Sequence, residues 1–144
     1  MTITGDLNRT VGWSSLVAGA ASGILLGLWS FDGPVEVPRW LGEYPDTSRR
    51  LVRLGHIAFF GVGILNILLS HELARTSLGA VARRIASVSL NLGNVFLPLV
   101  LIAAGAVRPV KYLLPVPALC VLLAVSIAAA GAHPPRRSAD ADVD

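Results

Sequence analysis

The stretch RRLVRLGHIAFFGVGILNILLSHE, residues 49–72, passes from three arginines into a long apolar segment that still carries a histidine, His56, and an asparagine, Asn66. Residues 54–70 contain no Asp, Glu, Lys or Arg. A helix needs about 20 mostly apolar residues to cross the hydrocarbon core of a bilayer. Arg50 and Arg53 extend this one by lying along the helix and reaching the headgroups. Three more charge-free runs, 11–31, 85–107 and 112–132, meet the same requirement.

The composition agrees with a membrane origin. Of 144 residues 53% are hydrophobic and 15% charged, where a soluble domain carries about 25% charge. A soluble helical bundle needs a polar face on each helix, and ASGILLGLWSF (21–31) and VFLPLVLIAAGAV (95–107) have no charged face. The runs do not alternate as the strands of a membrane barrel must. The expected fold is therefore an all-α membrane protein of one domain. Its four transmembrane helices fall near 10–31, 47–74, 81–107 and 111–132. The acidic tail 133–144 has the composition of a disordered segment.

The links set the topology. RTSLGAVARR (75–84) and VRPVK (107–111) are short, so helices joined by them should be antiparallel neighbours in an up-down-up-down bundle. The first link, DGPVEVPRWLGEYPD (32–46), is too rich in proline for a helix. Its Trp40 and Tyr44 are placed at the membrane surface, where such rings prefer to sit. Asp46, Thr47 or Ser48 is expected to cap the second helix. AGA at 18–20 mimics a signal-peptide cleavage site, but the apolar run continues beyond it to residue 31, which favours an uncleaved helix.

Charge and cysteine content narrow the function classes. The sequence pI is near 9.8, but the arginines cluster at helix ends, where anionic headgroups neutralise them. No basic stripe with interleaved aromatics is present. The expected partner is the lipid bilayer and not nucleic acid. Cys120 is the single cysteine, so no intramolecular disulfide forms. Arg9, Arg75, Arg83, Arg84, Arg136 and Arg137 fall on the side of the termini, and Arg39, Arg49, Arg50, Arg53, Arg108 and Lys111 on the other. The positive-inside rule is balanced by this distribution. The long acidic first loop reads as outward, which puts both termini in the cytoplasm of a multi-pass cell-membrane protein; an even charge count is also the pattern of dual topology. The pattern resembles small bacterial inner-membrane proteins, with no motif specific enough to name a family.

Three helix faces stand out. The first helix repeats a small residue every four positions, at Ser15, Gly19, Gly23 and Gly27. Such stripes let backbones approach closely, either within the chain or across a homodimer. The second helix places His56, Phe59, Gly63, Asn66 and Ser70 within an arc of roughly 80°. The third aligns Ser87, Asn91, Asn94 and Pro98. Matched by depth, Asn66 falls beside Asn91, Asn94 near Val62 or Gly63, and His56 near residues 99–101. Unpaired amides facing lipid cost several kcal/mol, so both polar faces should turn inward toward each other. Pro98 withholds an N–H from the carbonyl of Asn94 and should kink the helix.

Three readings follow from these faces. In one, the amides are interhelical glue in a structural, accessory or assembly component without catalysis of its own, in a larger membrane complex or a homodimer through the small stripe. In the second, His56, Phe59, Asn66, Asn91 and Asn94 form a site between helices two and three for haem or quinone, since a histidine at membrane depth ligates iron, bonds a carbonyl or relays a proton. A bis-histidine haem within one chain is excluded, because His71 and His133 lie at the opposite membrane face from His56. A small transporter or channel-like subunit using the same polar faces is the third reading. All nine acidic residues lie outside the apolar runs, which counts against proton-coupled export. His71, His133 and Glu72 have the donor types for a divalent metal but lie in wet helix ends, so no metal site is expected there. HELAR (71–75) lacks the second histidine of a zinc-protease motif, and GVGILN (61–66) lies in a helix with no strand before it, so neither carries its usual chemistry.

Overall fold

A computed structural model describes residues 3–30 and 33–132. Four α-helices follow one another: α1 (Ile3–Leu28), α2 (Thr47–Glu72), α3 (Ala80–Ala106) and α4 (Pro115–Ala132), with a short 3₁₀ segment, Arg108–Leu113, leading into α4. No strand occurs among the described residues. The four apolar spans, 24 to 27 residues long, exceed what a bilayer crossing needs. The tail expected to be disordered, 133–144, lies outside the described residues.

The two largest boundary differences from expectation are at helix starts. α1 begins seven residues before the predicted start at residue 10, because the helix continues through a polar turn in which Thr10 donates its hydroxyl to the carbonyl of Asp6 at 3.0 Å. The fourth span opens as a 3₁₀ turn and becomes α-helical only at Pro115. Proline lacks the N–H that an interior turn requires but is tolerated in a first turn, so Pro109, Pro115 and Pro117 delay the regular helix. Asp46 holds the N-cap position of α2 as expected, yet its carboxylate makes no cap bond. Its Oδ2 accepts instead from the backbone N–H of Glu43 at 2.8 Å, beneath Gly42, whose φ of +70° suits a residue without a side chain.

The helices are not arranged as a square. α2 packs between α1 and α3, α3 also touches α1, and α4 lies against α3 with a small contact on α2. One apolar cluster unites α2, α3 and α4 through Val62, Leu69, Leu73, Ala86, Leu90 and Ala124. A second, at the loop end, joins Leu26, Leu41 and Val52. Glycines set the close approaches. A Cβ on Gly12 would stand 2.8 Å from the carbonyl oxygen of Gly63, and one on Gly93 would stand 2.4 Å from Cγ2 of Val121 in α4. Outward-facing residues such as Val17, Ile24, Leu68, Val81, Leu119 and Leu122 are more than half exposed, as lipid-facing side chains should be.

Candidate functional site

The interior of the α1–α2–α3 triangle holds a polar cluster at the end nearer the termini. Asn66 on α2 donates through Nδ2 to Oδ1 of Asn91 on α3 at 2.9 Å. The Nδ2 of Asn8 on α1 donates to Oδ1 of Asn66. The Oδ1 of Asn8 accepts from the Ser87 hydroxyl and, at 3.4 Å, from Nδ2 of Asn91. Asn8 and Asn66 are wholly buried and Ser87 nearly so. Asn66 stands six residues from the end of α2, roughly 9 Å at 1.5 Å per residue, so the cluster sits toward one membrane face and not at mid-depth.

The register expected between α2 and α3 is present at Asn66 and Asn91. The helix that completes the cluster is α1, through Asn8, which the charge-free-run criterion leaves outside the span because Arg9 follows it directly. A signal was available: with Asn8 placed in a helix, Asn8, Ser15, Gly19 and Ser22 share its α2-facing side. Asn94 takes a different course. Its Nδ2 donates to the carbonyl of Val11 on α1 at 3.4 Å, and its Oδ1 is buried without a hydrogen-bond partner.

His56 does not join Asn66 and Asn91 in a site between α2 and α3. Its depth is near that expected, since the adjacent Gly55 lies against the carbonyl of Pro98 and the side chain of Ile102. Its ring, however, turns to α1. Nδ1 lies 3.0 Å from the carbonyl oxygen of Gly19 and 3.0 Å from Oγ of Ser22. Its Cε1 would stand 2.7 Å from a Cβ on Gly23, and the ring meets Phe60 edge to face at 5.3 Å between centroids. The physical reason is that α2 has neighbours on two sides. One edge of its polar arc, at His56, faces the glycines of α1, which make room for an imidazole, while the opposite edge, at Asn66, meets both α1 and α3. Phe59 is half-buried and contributes its backbone, accepting from the Ser15 hydroxyl at 2.8 Å.

The contact with Gly19 favours one tautomer of the histidine. A carbonyl oxygen only accepts, so the contact is a hydrogen bond in the form that carries its proton on Nδ1. Nε2 then keeps a lone pair in the neutral ring. Three residues of the small stripe are occupied within the chain: Ser15 by the Phe59 carbonyl, Gly19 by Phe60 and Gly23 by His56. Gly27 has no heavy atom within 4 Å of its Cβ position.

At the opposite end a buried cation holds the first loop. Arg49 is 6% exposed. Its guanidinium donates to the carbonyl of Trp29, to Ser30 Oγ at 3.3 Å and to the carbonyl of Gly42 at 3.5 Å. It lies 5.5 Å from the Tyr44 ring centroid, and Arg53 stacks on the same ring at 4.1 Å. Arg49 is thus a loop anchor and not the headgroup-facing residue that the charge count makes it. Trp40 and Tyr44 are exposed, consistent with rings at a membrane surface. His133 lies outside the described residues, and no group of three or more His, Cys, Asp or Glu able to hold a metal occurs among the described ones.

This architecture is that of a small polytopic membrane protein. No family model, curated protein or solved structure matches the chain.

Proposed function

We propose that the protein is a structural or accessory component of its membrane, working within a larger assembly and without catalysis of its own. The observation that carries this reading is the Asn8–Asn66–Asn91–Ser87 cluster. Its side chains bond one another across three helices, and its two central asparagines are fully buried. Interhelical bonds of this kind are modest glue, about 0.6 kcal/mol on average, but they fix register between otherwise smooth apolar helices. In this reading Ser15, Gly19 and Gly23 serve α2 of the same chain, and larger-scale contact falls to the outer faces. Both termini are assigned to the cytoplasmic side, opposite the acidic loop 32–46. Native electrophoresis of gently solubilised membranes tests the first point. The chain should migrate in a band larger than its own purified form, and co-migration with the purified form would overturn the reading. Reporter fusions at residue 144 test the second.

A second reading has one specific observation in its favour. With Nδ1–H held by the Gly19 carbonyl, His56 has the orientation in which histidines present Nε2 to a ligand. Haem or quinone at His56, between α1 and α2, is the cofactor version. A dithionite-reduced spectrum of purified protein should then show a Soret band for haem, and extraction should yield quinone in proportion to protein if that is the cofactor. Absence of both ends this version.

A further inference from the structure

The α1–α3 side of the triangle is open, because α4 packs on the other flank of α3. A groove of about 360 Å³ runs there, lined by Ser14 and Ala18 of α1, Phe59 of α2, and Asn94, Val95 and Leu99 of α3. Its exposed walls are almost entirely apolar; besides the hydroxyl-bearing Thr10, Ser14 and Ser15, the polar residue along it is Asn94. That residue is 1% exposed and carries two acceptors short of donors. Its Oδ1 has no partner, and its backbone carbonyl lacks the usual helical N–H because Pro98 stands four residues on. Its amide is not simply reversed, since exchanging O and N would set Oδ1 against the Val11 carbonyl, a pair of acceptors.

A buried acceptor without a donor is costly, and pockets that bind small molecules combine apolar walls with a few placed polar groups. We propose that this groove binds a membrane-soluble molecule with a hydrocarbon body and one hydroxyl donor, an alcohol or a phenol, whose hydroxyl bonds Asn94. The donor deficit selects the hydroxyl, the apolar walls select the body, and the lateral opening gives entry from the bilayer. His56 is not among the lining residues, so the site is independent of the cofactor reading above.

The test uses the full chain in phosphatidylcholine nanodiscs, whose lipid supplies no hydroxyl. Melting is followed by circular dichroism against rising mole fractions of 4-octylphenol or its methyl ether, 4-octylanisole. The phenol should raise the melting midpoint saturably, and the ether should require about tenfold more for the same shift, the loss of roughly one hydrogen bond. Ser14→Leu, on the exposed side of α1, should fill the groove and abolish the phenol's effect. Asn94→Leu should make phenol and ether equivalent, and if that variant does not fold, Ser14→Leu decides alone. Equal responses to the two probes in the unsubstituted protein, or a phenol effect that survives Ser14→Leu, overturns the proposal. So does efficient disulfide cross-linking of Ser14→Cys chains without probe, which would give the groove to a second copy.

Discussion

Asn66 and Asn91 are bonded amide to amide at 2.9 Å across α2 and α3, and Asn66 at the same time accepts from Asn8 on α1. One side chain therefore ties two helix pairs. Replacing Asn66 by Leu, close in volume, should destabilise the bundle by about 1–3 kcal/mol, because it leaves buried donors and acceptors on Asn8 and Asn91 unpaired. In a double-mutant cycle with Asn91→Leu the coupling should fall between about 0.6 and 1.7 kcal/mol, the average and the upper end for hydrogen bonds in membranes. Reversible unfolding in mixed micelles measures both. Strict additivity would mean that the pair makes no net interaction.

Asn8 should behave as a core residue despite standing eight positions from the N-terminus. It bonds Asn66 and Ser87 and is fully buried. Asn8→Leu should cost about 1–3 kcal/mol, more than Asp6→Ala or Arg9→Ala on the exposed sides of the same turn. The same unfolding assay distinguishes the three. An Asn8 variant as stable as the Arg9 variant would detach α1 from the cluster.

Glycine substitutions should separate into two groups. A methyl on Gly12 meets a backbone oxygen of α2 at 2.8 Å, whereas Gly61 has nothing within 4 Å. Gly12→Ala should force α1 away from α2 and cost about 1–3 kcal/mol, as overpacking does. Gly61→Ala should be neutral, or stabilising by up to about 1 kcal/mol through helix propensity. Equal effects would place the closest approach of α1 and α2 elsewhere.

Much of this architecture is legible in the sequence. Long charge-free runs and short links gave four antiparallel helices, and matching residues by depth brought Asn66 to Asn91. What stayed hidden was lateral. An arc of roughly 80° on α2 is wide enough to meet two neighbours, so periodicity could not tell that His56 turns to α1 while Asn66 meets α1 and α3 together. Asn8 was hidden because a charge, Arg9, follows it, although a helix end can carry an exposed cation on one side and a buried amide on the other. Arg49 was hidden in the opposite sense. A cation at a helix end reads as bound for headgroups, and only the folded loop brings it the carbonyls of Trp29 and Gly42.

Arg49 should accordingly matter where its neighbour does not. Arg50 is exposed, while Arg49 crosses from α2 to the end of α1 and to the loop. A hydrogen bond from a charged donor contributes about 1.5–3 kcal/mol. Arg49→Ala should therefore release the loop, and Arg50→Ala should leave it in place. Cleavage at 33–46 by protease added to the loop side of sealed vesicles should rise at least tenfold for the first and stay unchanged for the second. Arg49→Lys should rescue only in part, since a single ammonium does not reproduce the spread of the guanidinium donors. Equal cleavage of all three variants would remove the anchor.

His56 should be locked in one tautomer by its contact with α1. Nδ1 faces two oxygens at 3.0 Å, the Gly19 carbonyl and the Ser22 hydroxyl. The hydroxyl can donate or accept and selects no tautomer, whereas the carbonyl accepts only and requires Nδ1–H. Nitrogen-15 spectra of protein labelled at histidine should therefore show a proton on Nδ1 of His56. Ser22→Ala should leave that assignment intact, because the carbonyl remains. Gly23→Val should disturb it, because a side chain there would meet the ring at Cε1, 2.7 Å from the Cβ position. A dominant Nε2–H signal for His56 in the unsubstituted protein would break its hydrogen bond to α1, and with it the lone pair that a ligand at this depth would require.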